Sequence, residues 1–297
     1  MSYNEGAVDL HIHSSQSSDG DFTPFHILRL AKETRLRAIS IADHDTVAAY
    51  PDALRFGQEM GVEVIPSIEV TTLFEEREFH LLLPFVNWKS RAIKKIIDQV
   101  SERRYQEAEE RVAKLQELGF DICWKEVLKK SGPHPPLGVT IAQILLEKAM
   151  MSGDPHFQKY LTGKDRMFAP YSFYKDYFME GKPAFIPRRN MKLLDILQLA
   201  PQTEGVPVLA HPGAYFQNTQ KKDLEKLKER GLVGLEVYTS YHDPSETAFY
   251  KEIAEGLDLV PTAGSDFHGT IKPHIPFGSL KEGEYWMVEE LRKRRAE

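Results

Sequence analysis

Short apolar runs alternate with amphipathic stretches along much of the chain, a pattern typical of βα units. Near the N-terminus, strands are predicted for the runs AVDLHIH, AISIADHD, VEVIPSIEVTT and EFHLLLPFV. Helices are predicted for TPFHILRLAKETRL and TVAAYPDALRFGQEMG. In the first of these helices, Thr23 suits the N-cap and Pro24 the first helical position. The charged turn LFEERE is expected to join the last two strands.

The pattern changes in the middle of the chain. From about Lys89 to Met179 it is mostly helical, with SRAIKKIIDQVSERRYQEAEERVAKLQELG as one long charged helix and GVTIAQILLEKAMM as a shorter one. Strand-like runs then return as PAFIP, VPVLAHPG, GLEVY and DLVPTAGSDFHG. We therefore predict an α/β domain made of residues 1–88 and 180–297, interrupted by an inserted helical subdomain at residues 89–179.

Composition and charge narrow the class of protein. The 297 residues are 41% hydrophobic and 28% charged, as in ordinary folded domains. A net charge of −6 does not favour the tracking of long nucleic acids, although bound divalent cations would still attract a small anionic substrate. The single cysteine, Cys123, excludes an intramolecular disulfide and is expected to be buried in the insert. Without an evident signal peptide or membrane span, we expect a cytoplasmic protein.

Candidate chemistry falls at the ends of the predicted strands. Of eleven histidines, five lie at or just beyond a predicted C-terminal strand end and a sixth lies within a strand, namely His11, His13, His44, His211 and His268, then His80. The carboxylates near them are Asp9, Asp19, Asp43, Asp45, Glu69 and Asp266. In parallel α/β barrels the C-terminal strand ends meet on one face, where active sites form. Imidazole combined with carboxylate suits zinc, manganese or iron better than calcium.

Each fragment taken alone also has a purely structural interpretation. Asp45 in ADHD could cap a helix, Glu69 could be an edge-strand glutamate, and His211 in LAHPG could bond within a turn. The motif HIH could arise by chance, and GSDFHG could be a polar loop. Their shared position at strand ends favours a metal site. The remaining fragments with His26, His134 and His156 lack a carboxylate pattern and predict surface or packing roles.

Taken in order, these motifs resemble those of a known family. DLHIHSSQSSDG, ADHDT, IEVTT, FHLLLPFV, LAHPG and GSDFHG are similar to the successive motifs of the PHP (polymerase and histidinol phosphatase) phosphoesterases. The resemblance is closest to a stand-alone branch with a helical insert, which includes nucleoside 3′,5′-bisphosphate phosphatases and 5′→3′ exoribonucleases. It covers residues 8 to about 278 outside the insert. It implies a distorted (β/α)7 barrel with an inserted helical subdomain, and a site for three metal ions.

The resemblance also implies roles for particular residues. The expected ligands of the first ion are His11, His13, Glu69 and Asp266; Glu69 is expected to bridge to a second ion bound by His80 and His211; the expected ligands of the third are Asp19, His44 and His268. Glu69, Asp266 and His268 are the expected catalytic residues. Asp9 and Asp43 are expected to orient the imidazoles from behind.

The resulting hypothesis is hydrolysis of a nucleotide phosphate ester by a metal-activated hydroxide. The substrate is expected to be a 3′,5′-bisphosphonucleotide, a nucleoside monophosphate or the end of a short oligonucleotide. Expected substrate contacts are Arg188 or Arg189 for a second phosphate, with Lys272, His274, His242 and Tyr241 as further candidates. The insert is expected to act as a lid. Two alternatives remain: a histidinol-phosphate phosphatase, and a non-catalytic metal-binding accessory module.

Overall fold

The computed structural model describes residues 6–162, 169–214 and 216–295. The chain divides into two compact units. One, the α/β unit, consists of Met1–Asp98 and Met191–Glu297, and the other, the helical unit, consists of Gln99–Asn190.

All strands found in the described part of the chain belong to the α/β unit. They are β1 Val8–Ile12, β2 Ala38–Ile41, β3 Glu63–Val64, β4 Glu69–Phe74, β5 Arg77–Leu82, β6 Met191–Lys192, β7 Val208–Leu209, β8 Gly234–Thr239 and β9 Val260–Gly264. The α-helices among the described residues are α1 Pro24–Glu33, α2 Tyr50–Met60, α3 Arg91–Glu117, α4 Trp124–Ser131, α5 Gly138–Ser152, α6 Gln158–Leu161, α7 Ala169–Tyr177, α8 Leu193–Thr203, α9 Lys221–Lys228, α10 Pro244–Gly256 and α11 Tyr285–Arg295. Helix α3 contains the point at which the two units divide.

The strands form two sheets. One has the order β1-β2-β3 with parallel pairs, and the other has the order β6-β4-β5-β7-β8-β9. Strand β5 runs antiparallel to β4 and β7, and the other pairs of the second sheet are parallel. Isolated bridges join Ile12 to Phe267 and His44 to Glu69 between the sheets. The fold is therefore mixed α/β with parallel sheets, and the strand ladders of the described residues do not close into one barrel.

Local chemistry explains why several elements begin and end where they do. Thr23 caps α1 by accepting a hydrogen bond from the backbone N–H of His26, and Pro24 occupies the first turn, as predicted. Helix α2 ends at Gly61, whose φ of 74° is the left-handed conformation that glycine adopts without strain. Residues Glu75 and Glu76 turn the chain between β4 and β5 with positive φ, so the predicted charged turn makes an antiparallel hairpin.

The core of the α/β unit surrounds its first strands. Every residue of β1 and β2 is buried, which is why their sequences are nearly continuous apolar runs. Ile12, Ile39 and Ile41 are fully buried among side chains of α1 and α2. The polar residues that directly follow β1 and β2 therefore lie next to this core, at the ends of the buried strands.

The helical unit has a separate apolar core. Leu115, Ile141 and Phe173 come from three different helices and are fully buried in it. Two predictions fail in this unit. PAFIP is irregular rather than a strand, because its two prolines have no N–H to donate to a ladder. Cys123 is exposed, because it lies at the N-cap of α4 and not inside a helix.

Across the described residues, the helices lack the combination of length and apolar character that crossing a membrane requires.

Candidate metal centre

The motif HIH at the end of β1 supplies two adjacent imidazoles. His11 lies in β1 and His13 directly follows it, and both side chains are buried. Because alternate residues of a strand point to the same face, the two rings lie side by side, and their Nε2 atoms are 3.1 Å apart. Two imidazole nitrogens that converge at this distance are suited to chelation.

Two carboxylates meet these imidazoles from distant parts of the chain. Glu69 Oε2 lies 3.3 Å from His11 Nε2 and 3.1 Å from His13 Nε2. Asp266 Oδ1 lies 3.4 Å and 3.0 Å from the same two nitrogens. Glu69 begins β4, and Asp266 follows β9 with a φ of 57°. One possible ligand atom from each of these four buried residues lies within 4.8 Å of the others, as a single metal ion requires.

The second oxygen of Glu69 faces a different pair of histidines. Glu69 Oε1 lies 2.9 Å from His80 Nδ1 and 3.1 Å from His211 Nε2. His44 Nδ1 lies 3.1 Å from Oε2, and His44, Glu69 and His80 also form a group with metal-like spacing. Glu69 therefore lies between two sets of imidazoles and presents one oxygen to each.

A third group forms around Asp19, on the loop after β1. Asp19 Oδ2 lies 3.4 Å from His268 Nε2 and 3.5 Å from His44 Nε2, and Asp19 Oδ1 lies 4.0 Å from His13 Nδ1. The side chain of Asp19 is 25% exposed, whereas that of Glu69 is fully buried. Solvent therefore reaches the third group more easily than the other two.

All nine predicted ligands are thus in one contiguous cluster. The structure differs from the sequence expectation at two of them. His44 faces Glu69 with one ring nitrogen and Asp19 with the other, so it fits the second group as well as the third. His13 likewise presents Nε2 to the first group and Nδ1 to the third.

Hydrogen bonds outside the cluster select which ring nitrogen faces inward. His11 Nδ1 is 3.0 Å from Glu236 Oε1, so Nδ1 carries the proton and donates it, which leaves the Nε2 lone pair for the cluster. His268 Nδ1 donates to the backbone carbonyl of Asp266 at 2.7 Å, with the same result. These contacts prepare both rings for metal coordination.

Several buried atoms of the cluster have no hydrogen-bond partner. They are His13 Nδ1, His44 Nδ1, Glu69 Oε2, His211 Nδ1 and His268 Nε2. Each such atom costs roughly 1–3 kcal/mol when it is left unsatisfied, and native proteins rarely retain so many in one place. Divalent ions would satisfy most of them, so the residues fit metal ions well.

Electrostatics in the cluster also favour bound cations. Burial alone would raise the pKa of Glu69, but the protonated imidazoles of His11 and His80 outweigh burial and hold that pKa well below its usual value. Burial lowers the pKa of His44, which keeps its ring neutral and able to coordinate. For His13, burial is outweighed by the nearby carboxylates of Asp266 and Glu69, and the pKa rises to about 9. In the metal-free protein, the ionised carboxylates therefore stabilise the protonated form of nearby imidazoles such as His13.

Lys272 and Tyr241 hold the other oxygen of Asp266. Lys272 Nζ is 2.7 Å from Asp266 Oδ2, and the Tyr241 hydroxyl donates to the same oxygen at 2.8 Å. Burial raises the pKa of Tyr241, so its hydroxyl stays protonated and remains a donor. The structure thus places Lys272 beside the cluster, with Asp266 as its partner.

The other predicted substrate contacts differ in their exposure and in their partners. Both ring nitrogens of His242 are used, since Nδ1 donates to the carbonyl of Val237 at 2.8 Å and Nε2 accepts from the N–H of Gly213 at 2.9 Å. His274 is exposed. Arg188 is exposed within the helical unit, and Arg189 forms an ion pair with Glu110 there at 2.7 Å.

Asp9 and Asp43 do not orient imidazoles as expected. Asp9 accepts from the backbone N–H of Ser265 at 2.9 Å, and Asp43 accepts from the N–H and the hydroxyl of Ser14 at 2.6 Å each. They fix the loops that carry ligands, and Glu236 orients the His11 ring instead. The signal for Glu236 was a single charge inside the apolar strand GLEVY.

The fold is mixed α/β with parallel sheets, and the cluster has the donor types and the spacing of a metal-binding site. The family model of the PHP domain matches residues 9–174, more than half of the 297 residues. The chain belongs to the PHP domain family, and the predicted family resemblance is confirmed.

Several relatives match nearly the whole chain. A phosphoribosyl 1,2-cyclic phosphate 1,2-diphosphodiesterase from Eggerthella lenta is 30% identical over 274 residues, covering 91% of this chain and 97% of that protein. The 5′-3′ exoribonuclease Rnm of Escherichia coli is 28% identical, covering 88% of this chain and 84% of that protein. A 3′,5′-nucleoside bisphosphate phosphatase from Chromobacterium violaceum is 22% identical, covering 88% and 87%.

A solved structure from Bifidobacterium adolescentis, described as a candidate metal-dependent phosphoesterase, is also similar. It has a TM-score of 0.78 and 25% identity, and the match covers 97% of this chain and 96% of that one. The family and these relatives together show that this protein is a metal-dependent phosphoesterase, which is a hydrolase.

Proposed function

We propose that this enzyme hydrolyses a phosphate ester of a nucleotide: a 3′,5′-bisphosphonucleotide, a nucleoside monophosphate or the end of a short oligonucleotide. The observation that carries the proposal is the position of Glu69, whose two oxygens face two different sets of imidazoles. A carboxylate in this position can bridge two divalent ions. Paired ions suit phosphoryl transfer, because they stabilise both the attacking and the leaving oxygen.

The donor set fits three ions of manganese, iron or zinc. We assign the ligands to three groups: His11, His13, Glu69 and Asp266; Glu69, His80 and His211; and Asp19, His44 and His268. When bound, such ions lower the pKa of water from ~15.7 to about 7, which makes a hydroxide nucleophile available, and they offset the charge of the phosphoryl oxygens.

The protein's own residues position the reacting groups. We assign catalytic roles to Glu69, Asp266 and His268, because each touches the region in which the groups meet. Lys272 is 28% exposed at its side chain, so its ammonium can contact a substrate phosphoryl oxygen while it holds Asp266. The roles predicted for Arg188 and Arg189 in binding a second phosphate, and for His274 and His242 in binding substrate, stay predictions.

The relatives support a ribose phosphate as the substrate class. Their reactions concern a nucleoside bisphosphate, RNA and a phosphoribosyl cyclic phosphate, all of which carry phosphate on ribose. The cyclic phosphodiester is a second candidate substrate, because the relative that acts on it is 30% identical and is covered along 97% of its length. Histidinol phosphate and a non-catalytic role remain the alternatives to be tested.

Phosphate release by the manganese-loaded protein should be measured on a panel of substrates. The panel contains a 3′,5′-bisphosphonucleotide, a 5′-mononucleotide, a short 5′-phosphorylated RNA, phosphoribosyl 1,2-cyclic phosphate and histidinol phosphate. Hydrolysis of the cyclic diester or of RNA yields a phosphate monoester, which a phosphate assay does not detect. The products of these two substrates are therefore followed by chromatography. We expect one of the nucleotide substrates to have the highest kcat/KM. Preference for the cyclic diester or for histidinol phosphate would replace the proposed substrate, and no turnover with metal bound would favour the accessory module.

Glu69→Gln tests the bridging role. The amide keeps the size of the side chain but loses its charge and one acceptor oxygen, so we expect metal content to fall and kcat/KM to drop at least ~100-fold, the upper range for loss of a partner outside the ligand set. Metal analysis and kinetics on the preferred substrate measure both effects. Unchanged metal content and turnover would contradict the assignment.

We also propose a cytoplasmic location. The distorted (β/α)7 barrel that the family resemblance implies stays a prediction, because the hydrogen-bonded strands of the described residues form two sheets. The boundaries of the insert at residues 89 and 179 and its role as a lid stay predictions.

A further inference from the structure

Glu236 lies in the middle of β8 and is completely buried. Within the described part of the chain, its only ion pair is with the imidazole of His11. A buried carboxylate without a lysine or arginine partner is costly, so its retention in an apolar strand requires a specific partner nearby.

The two oxygens of Glu236 bind two different predicted metal ligands. Oε1 accepts from His11 Nδ1 at 3.0 Å, and Oε2 accepts from the backbone N–H of His211 at 2.8 Å. His211 has a φ of 24°, which is unusual for a residue with a side chain, and this hydrogen bond helps to hold it there. Glu236 therefore orients the ring of one ligand and the backbone of another.

These two ligands belong to different ions of the proposed centre. His11 faces Glu69 Oε2, and His211 faces Glu69 Oε1. The two rings are stacked with centroids 5.6 Å apart. One carboxylate outside the ligand set thus acts on both ions that Glu69 is placed to bridge. Among the described residues, Glu236 forms no hydrogen bond or ion pair with Asp19 or His268.

The backbone around Glu236 is shaped to admit its side chain. Gly264, at the end of β9, lies so close that an added Cβ would be 2.0 Å from Glu236 Oε1 and 2.3 Å from the Cβ of His11. The residue beside the carboxylate therefore has to be a glycine for the contact to exist.

We propose that Glu236 is a positioning residue that prepares the two ions bridged by Glu69 as a pair, independently of the ion at Asp19. The inference rests on the proposed metal centre. It predicts that a substitution that weakens the hydrogen bonds of Glu236 lowers the affinity for two of the ions together and leaves the affinity for the third unchanged.

Glu236→Gln is the sharpest test. An amide has one acceptor oxygen and one NH₂ donor, so whichever way it is oriented, one of the two donors, His11 Nδ1–H or His211 N–H, faces another donor. Loss of a hydrogen bond that orients a metal ligand weakens metal binding by roughly 10–100-fold. Glu236→Asp is the second variant, since it keeps both acceptor oxygens and the charge but shortens their reach.

Asp223→Asn is the matched control. Asp223 is another completely buried carboxylate of the α/β unit, but it binds Arg77 at 2.8 Å and the N–H of Gln220 at 2.9 Å, away from the predicted ligands. Any general effect of neutralising a buried carboxylate should appear in this variant too.

Manganese per chain is measured by equilibrium dialysis and elemental analysis over a range of free metal, together with the melting temperature of each metal-free protein. We expect Glu236→Gln to show two weakened equivalents and one unchanged, and Asp223→Asn to match the unsubstituted protein. If Glu236→Gln does not fold, Glu236→Asp is expected to show the same selective weakening.

The inference would be overturned if the folded Glu236 variants bound all three manganese ions with unchanged affinity. It would also be overturned if Glu236→Gln and the Asp223→Asn control both bound all the ions more weakly, and to the same extent. A failure of the metal centre itself is distinguishable, because the unsubstituted protein would then bind no manganese.

Discussion

At the scale of the single residue, the cluster shows that burial and charge have opposite effects on the same groups. Burial lowers the pKa of His80, but its contact with Glu69 raises it to about 10. The carboxylates of Asp266 and Glu69 beside His13 raise its pKa to about 9. In the metal-free protein both imidazoles therefore carry protons at neutral pH, and a metal ion has to displace them.

Metal binding should consequently depend on pH. The metal-free pKa values of His13 and His80 are about 9 and about 10, so the apparent affinity should rise with pH between 6.5 and 9 and fall as protons compete more strongly at lower pH. Each proton released changes the affinity up to ~10-fold per pH unit.

Calorimetric titration with manganese in two buffers of different ionisation enthalpy measures this proton release. Binding that is independent of pH between 6.5 and 8.5, with no proton released in either buffer, would contradict the pKa shifts described for His13 and His80.

At the scale of the element, two loops have to be joined to build the third group of ligands. The loop after β1 carries Asp19, and the loop after β9 carries His268. Thr270 donates its backbone N–H to Asp21 Oδ1 at 3.1 Å, and its hydroxyl donates to the same carboxylate. Gly269, with a φ of 70°, would place an added Cβ 1.7 Å from Asp21 Oδ1.

Gly269→Ala should therefore separate the two loops and weaken the ion at Asp19 and His268 selectively. Gly278→Ala is the control, because its φ of 68° is similar but its added Cβ would meet the side chain of Thr34 no closer than 3.3 Å. Both variants bear the strain of a left-handed residue, about 1 kcal/mol.

Metal stoichiometry and the metal-free melting temperature distinguish the two variants. We expect Gly269→Ala to lose more stability than Gly278→Ala, because its Cβ also displaces Asp21, and we expect only Gly269→Ala to lose metal. Full metal content in Gly269→Ala would show that the contact between the loops is not required.

Element prediction from the sequence succeeded where the signal is local. Thr23 and Pro24 begin α1 as expected, because capping depends on neighbouring residues alone. PAFIP was wrongly predicted as a strand, because strand formation also needs a hydrogen-bonding partner, and its prolines cannot provide the N–H groups. The antiparallel direction of β5 follows from the short turn at Glu75 and Glu76.

At the scale of the whole molecule, each of the two units has its own apolar core. The predicted metal ligands all belong to the α/β unit, and the described residues of the helical unit contain no group with metal-like spacing. A ligand stabilises the state that it binds by about 2.7 kcal/mol at one hundred times its Kd.

Removal of metal with a chelator should therefore destabilise the α/β unit in particular. Hydrogen exchange read by mass spectrometry should show faster exchange around β1 and β8, with little change around the buried Leu115 and Phe173 of the helical unit. Equal loss of protection in both units would show that they unfold as one.

The sequence by itself determined the chemistry of the site. Histidine and carboxylate are the only abundant ligand types at the strand ends, and their order along the chain identifies the family, since residue type and order are local information. This is why His11, His13 and Glu69 could be named before the fold was known.

Only the tertiary structure decided how those groups face one another. Which nitrogen of His44 meets which carboxylate, and that Glu236 rather than Asp9 or Asp43 orients the ring of His11, depends on contacts between residues up to 225 positions apart. Distances of this kind are set by the packing of whole strands and helices, and no short stretch of sequence contains them.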